Sequence, residues 1–517
     1  MKYPIGIQDF RELREGGYVY VDKTAQIHRI LTGGKYFFLS RPRRFGKSLL
    51  LSTIKELYAG SRELFEGLWI EDQWDWGHTN PVIWIKFSAI DYQQKGLYGA
   101  LTEEMERIGA ALGISLKTET LKDRFKELID QAKQKYGRKA ALLIDEYDKP
   151  IIDYLDDVEK AESNRAVLKN FYSILKDSDP YLELVFITGV SAFSKVSIFS
   201  DLNNLYNISL TDLAEELLGI TQEELESYFE EPLRQAAEKN KLSFEELLKK
   251  VRRWYNGYSW TGESKLYNPF SLLSFLSGKR FQNFWFETGT PTFLVKEMKQ
   301  TAYYSISDTQ ATSHELNNFD LERLNPISVL FQTGYLTITH YEPEDLLYTL
   351  DYPNLEVKHS LEQVLLNEYL DHPTPSGLPR VITIRNALRQ KDIDTVVEVI
   401  NAAFAEIPPE HWTGQKEHFY HAVTHLLFSL LGTYIQSQVN TSRGRCDAVV
   451  QTEGLIYAFE FKLDKSADEA LQQIREKGYL EPYADSPKEK IAVGVNFSSE
   501  ERKITDWKVE ALVPRSS

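Results

Sequence analysis

One cysteine, Cys446, stands among 517 residues. A lone thiol rules out an intramolecular disulfide framework and fits a reducing compartment. Long apolar runs are scarce as well. The longest near-apolar stretch, AVTHLLFSLLGTYI (422–435), contains His425 and is shorter than the roughly 20 residues a bilayer span needs. The opening MKYPIGIQDF has no apolar core of a secretory signal, so the expectation is a soluble, cytoplasmic chain with no membrane attachment. Positive charge is in deficit: 60 Lys and Arg against 76 Asp and Glu give a net of −16. That argues against a general polyanion binder, whose affinity comes from cations on phosphates, and leaves room for a local basic groove. The 10 histidines offer no zinc pattern. His418, His421 and His425 share a helix, but no glutamate of the H-E-x-x-H kind lies between the last two. No Ser/His/Asp order stands out.

Aromatic mass is plentiful: 9 Trp, 29 Tyr and 27 Phe can fill large cores, and the length divides into several domains. Short apolar runs alternate with helical stretches over the first 210 residues, which predicts a parallel α/β sheet. Strands are expected at 36–40, 81–88, 140–148, 182–189 and 205–210; helices at 47–60, 97–113, 121–137 and 163–177.

Between the first strand and the helix after it lies SRPRRFGKS (40–48). The pattern G-x-x-x-x-G-K-[ST] puts Gly46, Lys47 and Ser48 in its last three places, but Arg41 stands where the first glycine belongs. Backbone N–H groups and a helix N-terminus would converge there on phosphate. Lys47 would reach the β- and γ-phosphates and Ser48 would hold Mg²⁺. Alone, the stretch fits a basic turn equally well. The second element decides. ALLIDEYDKP (141–150) is an apolar strand ending in Asp145 and Glu146, a Mg²⁺-water ligand and a residue to position the attacking water. Thr188, ending the fourth strand, could sense the γ-phosphate or simply cap the strand, and Ser191 lies just beyond. The candidate nucleotide set is therefore Arg41, Arg43, Arg44, Phe45, Gly46, Lys47, Ser48, Leu49, Asp145 and Thr188, with ATP and Mg²⁺ as cofactors.

YVYVDKT (18–24), FLSRPRRFGKSLLLSTIKELYAG (38–60), LFEGLWI (64–70), LLIDEYDKPI (142–151), GVSAFSKVSIFSDLNNLYNISL (189–210) and WYNGYSW (254–260) occur in an order that resembles the bacterial AAA-ATPase-like family. In that family the arginine for glycine is the usual spelling. The resemblance covers about the first 290 residues and implies a P-loop ATP-binding fold. It makes residues 1–210 the core and the helical stretch 211–290 a lid, from which Arg252 or Arg253 could reach a γ-phosphate or merely complement a helix end. LERLNPISVLFQTGYLTI with LLYTLDYPNLEV reads as helix, strand and hairpin, a winged-helix-like module within 291–380. Only Arg323 and Lys358 flank it, so packing or a protein partner fits better than DNA. HPTPSGLPR (372–380) is the linker candidate.

The last informative stretch is RCDAVVQTEGLIYAFEFKL (445–463). Two β-rich runs flank Glu453–Gly454, a two-residue hairpin turn, so paired residues have indices summing to 907. Asp447 and Glu460 then face each other, with Cβ atoms about 4.5–5.5 Å apart, and Lys462 shares the face of Glu460. Two carboxylates so close repel unless a cation joins them, a natural Mg²⁺ clamp; an exposed cross-strand charge cluster satisfies the same geometry. The segment is similar to the PD-(D/E)XK nuclease superfamily over about 409–505, with Cys446 in place of the motif's proline. That resemblance implies metal at Asp447 and Glu460 (Mg²⁺, or Mn²⁺), water activation by Lys462, and support from Glu417 and Gln473. Tyr479 is also near. The domain would span 381–511, a helical connector included; LVPRSS (512–517) resembles an added protease site.

The fold expected is thus α/β: a P-loop parallel-sheet ATPase core with helical lid and winged-helix-like module, then a small α/β PD-(D/E)XK domain. The function expected is an ATP-binding, ATP-hydrolysing protein coupled to a Mg²⁺-dependent nuclease on DNA or RNA, with Glu146, Asp447, Glu460, Lys462 and Gln473 catalytic. The alternative is a nucleotide-dependent switch whose tail only binds a partner; from residue 408 onward 13 Lys and Arg against 16 Asp and Glu show no basic tract. A homo-oligomeric ring motor is a third reading, with Lys195 or the loop arginines as the finger in trans.

Overall fold

The computed structural model describes residues 1–192, 199, 202, 204–285, 294, 295, 298, 299, 306, 309–316, 325–370, 377–407, 416–432, 436–438 and 447–512. Two compact units result, one of residues 1–289 with 307–357 and one of 290–306 with 358–517. Among the described residues no helix is long and apolar enough to cross a membrane.

The first unit is built on a five-stranded sheet ordered β2-β3-β4-β1-β5: β1 Tyr36–Ser40, β2 Val82–Lys86, β3 Ala140–Asp145, β4 Leu182–Gly189 and β5 Tyr206–Asn207. Its pairings are parallel. A parallel sheet is covered on both faces, so its strands read as continuous apolar runs. Every residue of β3 is buried, as are seven of the eight in β4. The helix after β1, Lys47–Ala59, packs Leu50, Leu51, Ile54 and Leu57 onto one face with Phe37, Leu39, Leu143 and Phe186. The helix expected at 163–177 instead runs Val158–Tyr172. The Asp157 side chain accepts from the Lys160 N–H and fixes that start, satisfying a donor the helix itself leaves orphaned.

Three helices form the lid: Gln222–Asn240, Phe244–Tyr255 and Pro269–Gly278. Thr221–Glu224 and Ser243–Glu246 are reciprocal capping boxes on the first two, and Asn268 caps the third. Each cap is worth about 1 kcal/mol, and Leu225, Phe229, Leu233, Leu247, Val251 and Phe275 close the lid's own core. In the same unit, helix Pro326–Thr333 precedes the hairpin of β7 Thr337–Glu342 and β8 Leu347–Asp351, and β6 Thr309–Thr312 pairs with β8. Helix, strand and hairpin follow the expected winged order. The division of units differs from the expected 291–380 segment: residues 307–357 group with the ATPase-like core, and the boundary falls inside helix Leu355–Tyr369. In the linker candidate, 371–376 lie outside the described residues and Gly377–Arg380 open helix Gly377–Arg389. Pro379 is tolerated there because first-turn N–H groups have no intrahelical acceptor.

The second unit carries a sheet ordered β13-β12-β11-β10-β9, from β9 Gln436–Gln438, β10 Ala448–Gln451, β11 Leu455–Leu463, β12 Glu489–Ser498 and β13 Lys503–Leu512. Helix Ala467–Lys477 links β11 to its parallel neighbour β12. It lies on the sheet at Gly494, where a Cβ would come within 2.3 Å of the Ala467 carbonyl oxygen.

Candidate functional site

Loop 41–46 leaves β1 and turns into helix Lys47–Ala59 at Gly46, whose φ of 95° is a left-handed conformation that glycine adopts without strain. A cavity of about 390 Å³ opens beside it, lined by Arg43, Arg44, Gly46, Lys47, Ser48 and Leu49 from the loop side, Glu146 and Asp148 after β3, Val190 after β4, the segment Pro4–Gln8, and Pro269 and Phe270 of the lid. It sits beyond the carboxyl ends of parallel strands, where such sheets bind ligands. The Lys47 ammonium is buried and donates to the carbonyl oxygens of Arg41 (2.8 Å) and Pro42 (2.9 Å). Burial pushes its pKa down, against the pull of the Glu146, Asp145 and Asp148 carboxylates.

Glu146 follows β3 with φ 54°, a left-handed conformation that costs a non-glycine residue about 1–3 kcal/mol and that here accompanies a carboxylate facing the cavity. Burial, then repulsion from Asp145, raise its pKa, with Lys47 opposing. The shift moves the carboxylate toward the range useful to a general base. Asp145 is buried and accepts from Thr188 Oγ1 at 2.9 Å. Thr188 thus ties β4 to β3, and neither it nor Asp145 lines the cavity.

Arg41 and Phe45, expected to touch nucleotide, turn their side chains elsewhere. Arg41 is 1% exposed; its guanidinium donates to the carbonyls of Ser40, Ser209 and Ala214 and lies 4.0 Å from the Trp260 ring centre. Burial pushes its pKa down to about 9 against the attraction of Glu215. Phe45 packs edge-on against Tyr258 and Trp260. Arg252 donates to Gln222, and neither it nor Arg253 lines the cavity. Lys195 lies outside the described residues.

Asp148 was not singled out in the sequence. It is buried, and its Oδ2 accepts from Val190 N (2.9 Å), Ser191 N (2.6 Å) and Ser191 Oγ (2.7 Å). Burial raises its pKa and the Ser191 bonds lower it. The signal is the third acid of IDEYD. Its meaning depends on Gly189, where a Cβ would lie 2.8 Å from Asp148 Oδ1.

In the second unit, β10 and β11 pair as Ala448↔Phe459 through Gln451↔Ile456, the register whose indices sum to 907. One step further Asp447 faces Glu460. Asp447 Oδ2 accepts from Phe461 N at 2.7 Å. Glu460 is 2% exposed; burial, then Asp447, push its pKa up to about 7, with Lys462 opposing. The Lys462 ammonium donates to Glu460 Oε1 (2.7 Å) and Gln473 Oε1 (2.6 Å), and Gln473 Nε2 donates to the Tyr479 hydroxyl (3.2 Å). Glu460 Oε2 is buried with no hydrogen-bond partner among the described residues.

Such an orphan is costly, and a divalent cation shared with Asp447 would satisfy it, so the pair fits the metal. Among the described residues no group of three or more His, Cys, Asp or Glu side chains gathers as a metal site; Glu417 falls on helix Lys416–Leu431, with its side chain outside the described residues, as are Cys446 and the side chains of His418 and His421. Burial pushes the His425 imidazole down to about 4, which suits packing.

Residues 4–199 match the AAA-ATPase-like family, described as a predicted AAA-ATPase, and residues 415–507 match the PD-(D/E)XK nuclease superfamily. The chain belongs to the AAA-ATPase-like family and carries a PD-(D/E)XK domain toward its C-terminus. An uncharacterized protein from the vnfD 5′ region of Azotobacter chroococcum mcd 1 is 39% identical over 523 residues, covering 99% of this chain and 99% of that one. No solved structure matches.

Proposed function

We propose that this protein binds and hydrolyses ATP and cuts nucleic-acid phosphodiesters, the nucleotide state of the first centre governing the second. The observation that carries the nuclease reading is the half-buried Lys462 ammonium held between Glu460 Oε1 and Gln473 Oε1 while Glu460 Oε2 has no hydrogen-bond partner among the described residues. Asp447 and Glu460 would hold Mg²⁺ or Mn²⁺, which when bound supplies Lewis-acid charge at the scissile phosphate. Lys462 orients the attacking water and offsets charge developing on the phosphoryl oxygens. Gln473 keeps the ammonium on that face, with Tyr479 behind it.

At the first centre Lys47 exchanges its loop carbonyls for phosphate oxygens. Ser48 would hold Mg²⁺, Asp145, which lies behind the cavity wall, would reach it only through a bound water, and Glu146 positions the attacking water. The support is the cavity that gathers Lys47, Ser48 and Glu146.

Calorimetric titration with Mn²⁺ tests the second centre. Wild type should show a site that Asp447→Asn and Glu460→Gln each abolish. Identical isotherms for all three proteins would remove the nuclease reading and favour a nucleotide-dependent switch whose tail binds a partner.

A further inference from the structure

The first loop position is glycine in the general phosphate-loop pattern, and a glycine has no side chain with which to hold anything. Here Arg41 reaches away from the cavity. Its guanidinium donates to Ser209 O at 2.7 Å and Ala214 O at 2.8 Å, on the segment that leads from the core into the lid, and it stacks on Trp260 within the lid. The same segment is tied to that turn a second time: Glu215 Oε1 accepts from Ser264 N at 2.8 Å and from Thr261 Oγ1. Two further loop side chains reach the lid, Phe45 against Tyr258 and Trp260 and Arg44 over Phe270 at 5.0 Å. Meanwhile the backbone oxygen of Arg41 accepts from Lys47 Nζ. One residue therefore carries both the loop carbonyl that Lys47 must release to meet a phosphate and the side chain that grips the lid.

We infer that Arg41 is a positioning residue that couples Lys47 to the lid: nucleotide binding is transmitted through the loop's own side chains. This rests on the nucleotide reading of the cavity. When phosphate draws the Lys47 ammonium away, the Arg41 carbonyl is freed, the loop shifts, and the guanidinium carries the shift to 209–215 and 258–264.

The test is amide hydrogen exchange of the full chain with and without Mg²⁺ and ATP, at ATP concentrations saturating each variant. In wild type, ATP should slow exchange in 209–215 and 258–264 by roughly 5- to 150-fold, the usual size of coupling between sites. In Arg41→Gly, which restores the general loop, that ratio should fall toward one. Trp260→Leu removes the stack from the lid side and should do the same, and it decides the matter if Arg41→Gly does not fold. Exchange that is faster in both states with the ATP ratio preserved would show a merely structural contact and overturn the inference. ATP binding by wild type without slowing in these segments would overturn it too, leaving the nucleotide reading intact. A wild type that binds no ATP would remove that reading, and the inference with it.

Discussion

Glu146 is a side chain whose backbone and titration point the same way. Its left-handed φ accompanies a carboxylate on the cavity wall, and burial beside Asp145 raises its pKa. Glu146→Gln keeps the shape and removes the base. It should bind ATP as wild type does and hydrolyse it about 10²–10⁴-fold more slowly, measured as phosphate release against nucleotide binding. Glu356 gives a pH signature. Buried, it accepts from Phe284 N and Trp285 N, and burial pushes its pKa up to about 7. A raised carboxylate pKa means that the unfolded chain loses the proton first, so stability falls as pH climbs from the ordinary glutamate range toward 7 and levels off above it. Glu356→Gln should remove that fall. Unfolding free energies of variant and wild type from urea titrations should then diverge over this window by at most roughly 1.4 kcal/mol per pH unit, and parallel curves would contradict the assignment. At this scale Lys47 and Glu146 were legible in the sequence because the motif names them. The direction of Arg41 was not: its acceptors, Ser209 and Ala214, are 168 and 173 residues away, and nothing local reveals them.

Elements bounded by strong local chemistry were read best. β1 and β4 run as expected, being apolar runs ended by polar or turn residues. The β10–β11 register followed from a two-residue turn and strict alternation, since a one-residue slip would move every side chain to the other face. Helix Val158–Tyr172 starts five residues before the expected 163 because its start is set by the Asp157 cap, a weaker sequence signal than the apolar residues that follow it. Helix Ala467–Lys477 offers a direct test of how an element serves a site. It carries Gln473, and it approaches β12 only because Gly494 has no side chain. Gly494→Ala forces the two apart. About 1–3 kcal/mol of stability should be lost, and any metal-dependent cleavage should fall further than the lost folded fraction explains, because Gln473 retreats from Lys462. An unchanged melting temperature would show that the packing relaxes freely.

Across the whole molecule, 39% identity over 99% of both chains means that the two domain types recur together on one chain, which the proposal explains as coupling of ATP to a phosphodiester cut. Ligand linkage predicts that ATP at 100 times its Kd stabilises the unit holding the loop by about 2.7 kcal/mol, and that Lys47→Ala cancels this in thermal melts. The grouping of residues 307–357 with the first compact unit is not legible from composition, which marks only the Pro- and Gly-bearing stretch 372–380. The most direct measurement is cleavage of labelled DNA and RNA panels in Mg²⁺ or Mn²⁺, with and without ATP, by wild type, Glu460→Ala and Lys47→Ala. Cutting by wild type that vanishes in Glu460→Ala and loses its ATP response in Lys47→Ala is the predicted result. No cutting of any substrate, or cutting that survives Glu460→Ala, would contradict the account.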